Sequence, residues 1–172
     1  MSDLSDMEAR VQAAVAEEQR QGQAQEKQEA VTPDFVAKCS NFGEKGDGLL
    51  HSALFRGRFV YVPECRQWYE WAGQKWQEVH IHKVEASVDE VSLKYREIAS
   101  HYERLSRQAK DAGDKEEGER LKAAAEKMFG RASYLNSSRG VNACIKFTLA
   151  NSDPLICRPD IWDKDPWLLG VA

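Results

Sequence analysis

The strongest constraint on the fold of this chain is an apolar stripe. Val84, Val88, Val91, Tyr95, Ile98, Tyr102, Leu105 and Ala109 recur at alternating steps of four and three. Only a helix brings such positions onto one face, so the spacing predicts a helix of roughly 25 residues, close to a heptad pattern. A helix with one apolar side needs something to cover it. Gly113 interrupts the pattern, Asp114-x-x-Glu117 offers a capping-box-like restart, and a second stripe follows at Leu121, Ala125, Met128, Ala132 and Leu135. The small residues of this second stripe let the two helices approach closely, as an antiparallel helical hairpin.

Shorter elements surround the hairpin. Thr32-Pro33-Asp34 sets a capping hydroxyl ahead of a proline, which predicts a brief helix carrying Phe35 and Val36 and ended by Asn41 and Gly43. The run GEKGDG (43–48) is expected as a bend leading into LLHSALF, where Leu50, Ala53 and Leu54 share a helical face. Its glycines do not follow the G-x-x-x-x-G-K-[ST] order of a phosphate loop. Ser137-Ser138 opens a further helix that buries Val141, Ile145 and Leu149 and ends before Asp153-Pro154. Between these helical regions, RFVYVPECRQWYEWAGQKW (58–76) alternates aromatic, β-prone runs with turn residues, the signature of a three-stranded meander. The expected fold class is therefore α+β and mostly α, a small antiparallel three-stranded meander packed on a helical hairpin and a further helix. Residues 1–31 are rich in Gln, Glu and Ala with no aromatic side chain, and read as a flexible or frayed-helical tail ahead of a domain spanning 32–172.

Composition removes several function classes. A hydrophobic content of 42% supports a core, 30% charged residues and a mean hydropathy of -0.63 indicate a soluble chain, and no apolar run reaches the ~20 residues of a membrane span. A cytoplasmic location is expected. Cys39, Cys65, Cys144 and Cys157 form no C-x-x-C pair, so they read as buried reduced thiols rather than zinc ligands. Cys65 lies beside Arg66 but has no oriented base in the pattern. His80-Ile81-His82 with Glu78 places two imidazoles and a carboxylate on one side of a possible strand, a triad that is more often solvated than metal-bound. Neither catalytic nor metal residues are assigned. The net charge of -4 is uneven: residues 1–48 hold 5 basic and 10 acidic side chains, leaving 19 basic and 18 acidic for the remainder. Contact with nucleic acid would have to come from a local patch.

One such patch is readable. Arg56, Arg58, Arg66 and Lys75 interleave with Phe55, Phe59, Tyr61, Trp68, Tyr69, Trp71 and Trp76. Cations beside rings hold single strands through phosphate contact and base stacking. The competing reading makes most of these rings the small sheet's core, Trp71 and Trp76 included, with the charges at its rim.

The array RFVYVP…W-x-x-W-x-G-x-x-W, carrying Trp68, Trp71, Gly73 and Trp76, is followed by the hairpin, Ser-Ser, Asn151-x-Asp153-Pro154 and finally DKDPWLLGV, carrying Asp163, Asp165, Pro166 and Trp167. Over residues 41–171 this order resembles the N-terminal, pre-helicase domain of the phage, plasmid and poxvirus-type primase–helicase family. The D-x-D-P-W-x-L segment is the more specific motif. The resemblance implies a structural role for those eight residues and no cofactor in this chain. It implies a non-catalytic domain of a mobile-element DNA replication protein, linking a primase to a superfamily-3 helicase motor. Implied partners are DNA, held weakly by the domain alone, the helicase and primase domains or subunits, and further copies in a ring. Gly170 stands where Asn is more usual, and the Asn-Gly and phosphate loop common in the family do not follow before Ala172. The chain is thus expected as an excised domain, a split subunit or a truncated remnant without its motor. Two alternatives stay open: a helical protein–protein interaction module unrelated to DNA, and a degenerate primase using Asp163 and Asp165 as metal ligands.

Overall fold

The structure, a computed structural model, describes residues 31–157. The tail before residue 31 and the motif residues Asp163, Asp165, Pro166 and Trp167 lie outside the described residues.

Helix α1 (Pro33–Asn41) starts as its sequence dictates: Thr32 Oγ1 accepts from the Phe35 amide at 3.2 Å, and Pro33 occupies the first turn, where no amide is needed. Helix α2 (Glu44–Phe55) follows after a two-residue turn in which Gly43 takes φ 59. The bend expected at 43–48 is therefore mostly helix. Its other glycines serve close packing instead. A Cβ on Gly46 would stand 1.9 Å from the Cys39 carbonyl oxygen, and one on Gly48 would stand 2.4 Å from the Phe147 carbonyl carbon. Helix α2 lies backbone to backbone against its neighbours on two sides, which only glycine permits.

Strands β1 (Phe59–Val62), β2 (Gln67–Trp71) and β3 (Trp76–Val79) form the expected antiparallel meander in the order β1-β2-β3. Register pairs Tyr61 with Trp68, Trp68 with Val79, and Trp71 with Trp76. The free edge of β1 is extended by residues 155–157, running parallel to it: the Tyr61 amide donates to the Leu155 carbonyl at 2.8 Å and the Cys157 amide to the Tyr61 carbonyl at 2.9 Å.

The first apolar stripe is carried by two helices rather than one. Helix α3 (Ile81–Ala86) and helix α4 (Val88–Asp111) meet at Ser87, whose hydroxyl donates to the Val84 carbonyl and also contacts the buried His51 ring at 2.8 Å. Helix α5 (Lys115–Leu135) restarts after Gly113 with Asp114 as its cap, its carboxylate accepting from the Glu117 amide at 3.0 Å. The reciprocal half of a capping box is absent, because the Glu117 carboxylate accepts from Arg120 instead, at 2.6 Å. Leu121, Ala125, Met128, Ala132 and Leu135 are all buried against α4, and serines stitch the hairpin: Ser92 Oγ donates to the Ala132 carbonyl and Ser106 Oγ to that of Gly118. Helix α6 (Ser138–Thr148) begins with Ser137 capping the Gly140 amide at 3.0 Å and packs along α2. It buries Cys144, Ile145 and Thr148, while Val141 and Leu149 are only partly covered.

A single apolar cluster runs from Val36 of α1 through Leu50 and Phe55 of α2, Val84 to Tyr102 and α5, and reaches the sheet through Phe59 and Trp68. Among the polar side chains buried with it are Asp47 and His51 of α2. The Asp47 carboxylate, fully buried on α2, accepts from the Tyr95 hydroxyl of α4 at 3.1 Å and from Nε and Nη2 of the Arg131 guanidinium on α5. Burial raises its pKa against the opposing pull of Arg131. His51 sits between Ser87 and Thr148, whose hydroxyls lie 2.8 and 3.1 Å from its two ring nitrogens, and burial lowers its pKa to about 3. The buried face of α2 is thus Asp47, Leu50, His51, Ser52 and Phe55, with Ala53 and Leu54 half-buried, a quarter-turn from the expected stripe.

Candidate nucleic-acid interface

Strand alternation divides the meander into two faces. Phe59, Tyr61 and Trp68 point toward the helices: Phe59 and Trp68 are buried, and Tyr61 packs on Trp68 with ring centroids 5.2 Å apart. Trp71 and Trp76 lie on the other face. They are directly opposed across β2 and β3, with centroids 5.4 Å apart and planes tilted by 60°. Both are half-buried and stand outside the core cluster. The expectation that the meander's rings form its core therefore holds for Phe59 and Trp68 and fails for this pair. A three-stranded sheet with one face on the helices has no second layer among the described residues to cover the other. Gly73, with φ 91, closes the turn that sets the two tryptophans together, where the Ala72 amide donates to the Lys75 carbonyl at 2.9 Å.

The four cations named from the sequence do not form one patch. Arg56, capping the end of α2, is ion-paired with Asp153 and donates to its carbonyl at 3.2 Å. Arg58 bridges Glu70 of β2 at 3.3 Å and Glu90 of α4 at 3.1 Å, and lies over the Phe55 and Phe59 rings at 5.3 and 5.2 Å. Lys83 of α3 also pairs with Glu70. Although partial burial raises the Glu70 pKa, hydrogen bonds from Lys83 and Arg58 outweigh it and hold the carboxylate below its usual range. Arg56 and Arg58 are thus largely neutralised, Arg56 tying the end of α2 to the segment after α6 and Arg58 fastening the sheet to α4. Arg66 and Lys75 are different: among the described residues neither side chain has a hydrogen bond or ion pair. Lys75 sits in the turn beside the tryptophan pair. Arg66 precedes the opposite end of β2, about 13 Å away along a strand of this length.

At that opposite end a cavity of about 370 Å³ is lined by Arg66, Gln67, Trp68, Glu78, Val79, His80 and Ile81. The residues 78–82 that suggested a strand-borne triad turn here from strand to helix. His80 caps α3, its Nδ1 accepting from the His82 amide at 3.4 Å, and the two imidazoles stack at 4.5 Å. His82 turns to Glu85, with Nδ1 2.8 Å from the carboxylate. Among the described residues no three His, Cys, Asp or Glu side chains converge as metal ligands. The cysteines also part from expectation. Cys39 and Cys144 are buried, the former pushed up to about 12 by burial, whereas Cys65 is exposed and Cys157 partly so. The Cys65 thiol donates a long 3.7 Å contact to the Val62 carbonyl and lies 3.9 Å from the Tyr69 hydroxyl.

The Asp47–Arg131–Tyr95 cluster, the His51 bridge and the cavity were not anticipated. The one signal for Asp47 is its spacing of three from Leu50, which puts a carboxylate on an otherwise apolar side of α2. Among the described residues no helix is long and apolar enough to cross a membrane.

Residues 49–172 match the model of a protein family described as D5 N terminal like. No curated protein and no solved structure matches the chain.

Proposed function

The chain belongs to the D5 N-terminal-like family, the N-terminal domain of primase–helicase proteins, and from that premise we propose that it acts without catalysis of its own in a phage- or plasmid-type replication protein, joining a primase to a superfamily-3 helicase motor and touching single-stranded DNA through its meander. The observation that carries this reading is the half-exposed Trp71–Trp76 pair with the unpartnered Lys75 beside it. Rings of this kind stack on bases at about 1–3 kcal/mol each, whatever the sequence of the strand. Arg66 supplies a second cation at the far end of β2. With two phosphates neutralised, log affinity falls with log salt at a slope of about -1.4. Binding by one copy is therefore weak, and useful affinity comes from several copies held in a ring.

The test is fluorescence anisotropy of a labelled single strand, with the free chain and with the chain fused to a ring-forming helicase motor. Fusion raises affinity well beyond that of the free chain, and Lys75→Glu removes most of the gain. Charge reversal at Arg56, already held by Asp153, has a small effect. If the fused ring binds equally well with Lys75 reversed, the meander does not meet DNA and an adaptor role between protein neighbours is the better reading.

A further inference from the structure

Arg66 occupies a position that favours glycine. It closes the β1–β2 turn, its amide donating to the Pro63 carbonyl at 3.2 Å, and it does so at φ 56. Left-handed backbone is costly for a side chain with a Cβ, and such strain persists where the side chain is needed. The Arg66 guanidinium has no partner among the described residues, yet it lines the cavity at the end of β2 and β3.

The donors and acceptors of that cavity are sorted. His80 Nδ1 is occupied by the His82 amide, so the neutral ring carries its proton on Nε2 and is a donor. Gln67 directs its amide nitrogen to the Val79 carbonyl at 3.1 Å and the Trp68 carbonyl at 3.5 Å, which leaves its oxygen as an acceptor. The Glu78 carboxylate is a second acceptor, and Trp68, Val79 and Ile81 supply the apolar wall. A ligand that satisfies this set has an anionic group for Arg66 and His80, an amino donor for Glu78 and Gln67, and a compact body between. A bare phosphate meets the first requirement but is repelled by Glu78.

We propose that this cavity binds one nucleotide whose base carries an exocyclic amino group, with Arg66 and His80 on the phosphate and Glu78 and Gln67 on the amine. The choice of a nucleotide rests on the replication reading above, and the cavity of about 370 Å³ falls in the range of small-ligand sites. Cytosine against thymine is the sharpest comparison, since the two bases are nearly the same size and differ in an amino group against a carbonyl at the position Glu78 would read.

The experiment is an NMR titration of the full chain with dCMP, dTMP and inorganic phosphate, following the backbone amides of residues 66–68 and 78–81. The expected result is saturable binding of dCMP, at least fivefold weaker binding of dTMP, and weaker binding still of phosphate. Glu78→Gln erases the difference between dCMP and dTMP. Arg66→Gly relieves the strained turn, raising the melting temperature by about 2–4 °C, yet weakens dCMP at least tenfold. Lys75→Glu leaves dCMP binding unchanged. An Arg66→Gly chain that binds dCMP like the parent, or a parent with no preference for dCMP over dTMP, overturns the proposal. If an oligo(dT) strand binds in a Lys75-dependent way while dCMP does not bind, the cavity proposal fails and the DNA reading stands. If dCMP binds through Arg66 and no strand binds, the cavity stands and the DNA reading fails.

Discussion

The helical hairpin and the meander dispose of their large side chains in opposite ways. In α4 and α5 every position of the central stripe, from Val88 to Tyr102 and from Leu121 to Leu135, is buried, and even the serines are bonded across the interface. In the meander, Phe59 and Trp68 join the core while Trp71 and Trp76 on the other face pack on each other, half in solvent. The hairpin holds the fold together, and the meander holds a surface in place. The two are fastened by Arg58, which ties Glu70 of the sheet to Glu90 of α4.

Changes in the hairpin should therefore be structural and those on the outer sheet face functional. The largest expected effect is at Ile98, 5% exposed at the centre of the stripe. Ile98→Asp buries an unpaired carboxylate and should cost more than about 4 kcal/mol, leaving a chain that circular dichroism reports as unfolded. Glu97→Asp, on the exposed side of the same turn, should shift stability by no more than about 0.5 kcal/mol. Equal effects at the two positions would break the assigned helix register.

Next in size is the buried cluster. Asp47→Ala strands the Arg131 guanidinium and the Tyr95 hydroxyl and should cost about 3–5 kcal/mol in urea unfolding. Adding Arg131→Met should recover part of that loss, because the orphaned charge leaves with its partner. A double variant no better than the single one would mean that packing, not charge, dominates the site.

A smaller effect tests His51. Its folded pKa, about 3, lies below the ordinary value of 6.5, so the folded state binds fewer protons than the unfolded one between these values. Stability is complete above pH 6.5 and declines as pH falls toward 3, at up to about 1.4 kcal/mol per unit from this group. His51→Gln should flatten the upper part of that decline, between pH 6.5 and 5, in denaturation curves taken across the range. An unchanged slope would show that His51 is not the group responsible.

How much of this was legible follows from where each signal resides. The stripes of α4 and α5, the Thr32 and Ser137 caps and the alternation of the meander are local patterns, and they appear where periodicity puts them. The break at Ser87 was hidden, because its hydroxyl is held by His51, 36 residues away. The glycines at 46 and 48 look like a bend from sequence, since close helix contact and turn formation call for the same residue. Asp47 looks like a solvated charge until Arg131, 84 residues on, is brought to it. For the meander, sequence tells which residues share a face but not which face is covered. That is why Trp68 and Trp71 looked alike, and why Arg58 and Lys75 looked equally available.

The most direct test of the contrast is to measure melting temperature and single-strand affinity together for Trp68→Ala, Trp71→Ala and Trp76→Ala. Trp68→Ala should lose about 3–5 kcal/mol of stability. Trp71→Ala and Trp76→Ala should each lose only about 1 kcal/mol, the worth of one aromatic pair, while weakening binding of a single strand at least fivefold. If either outer-face variant is as destabilised as Trp68→Ala, or keeps its affinity while folded, the meander is core on both faces and the assignment of its outer side to DNA is contradicted.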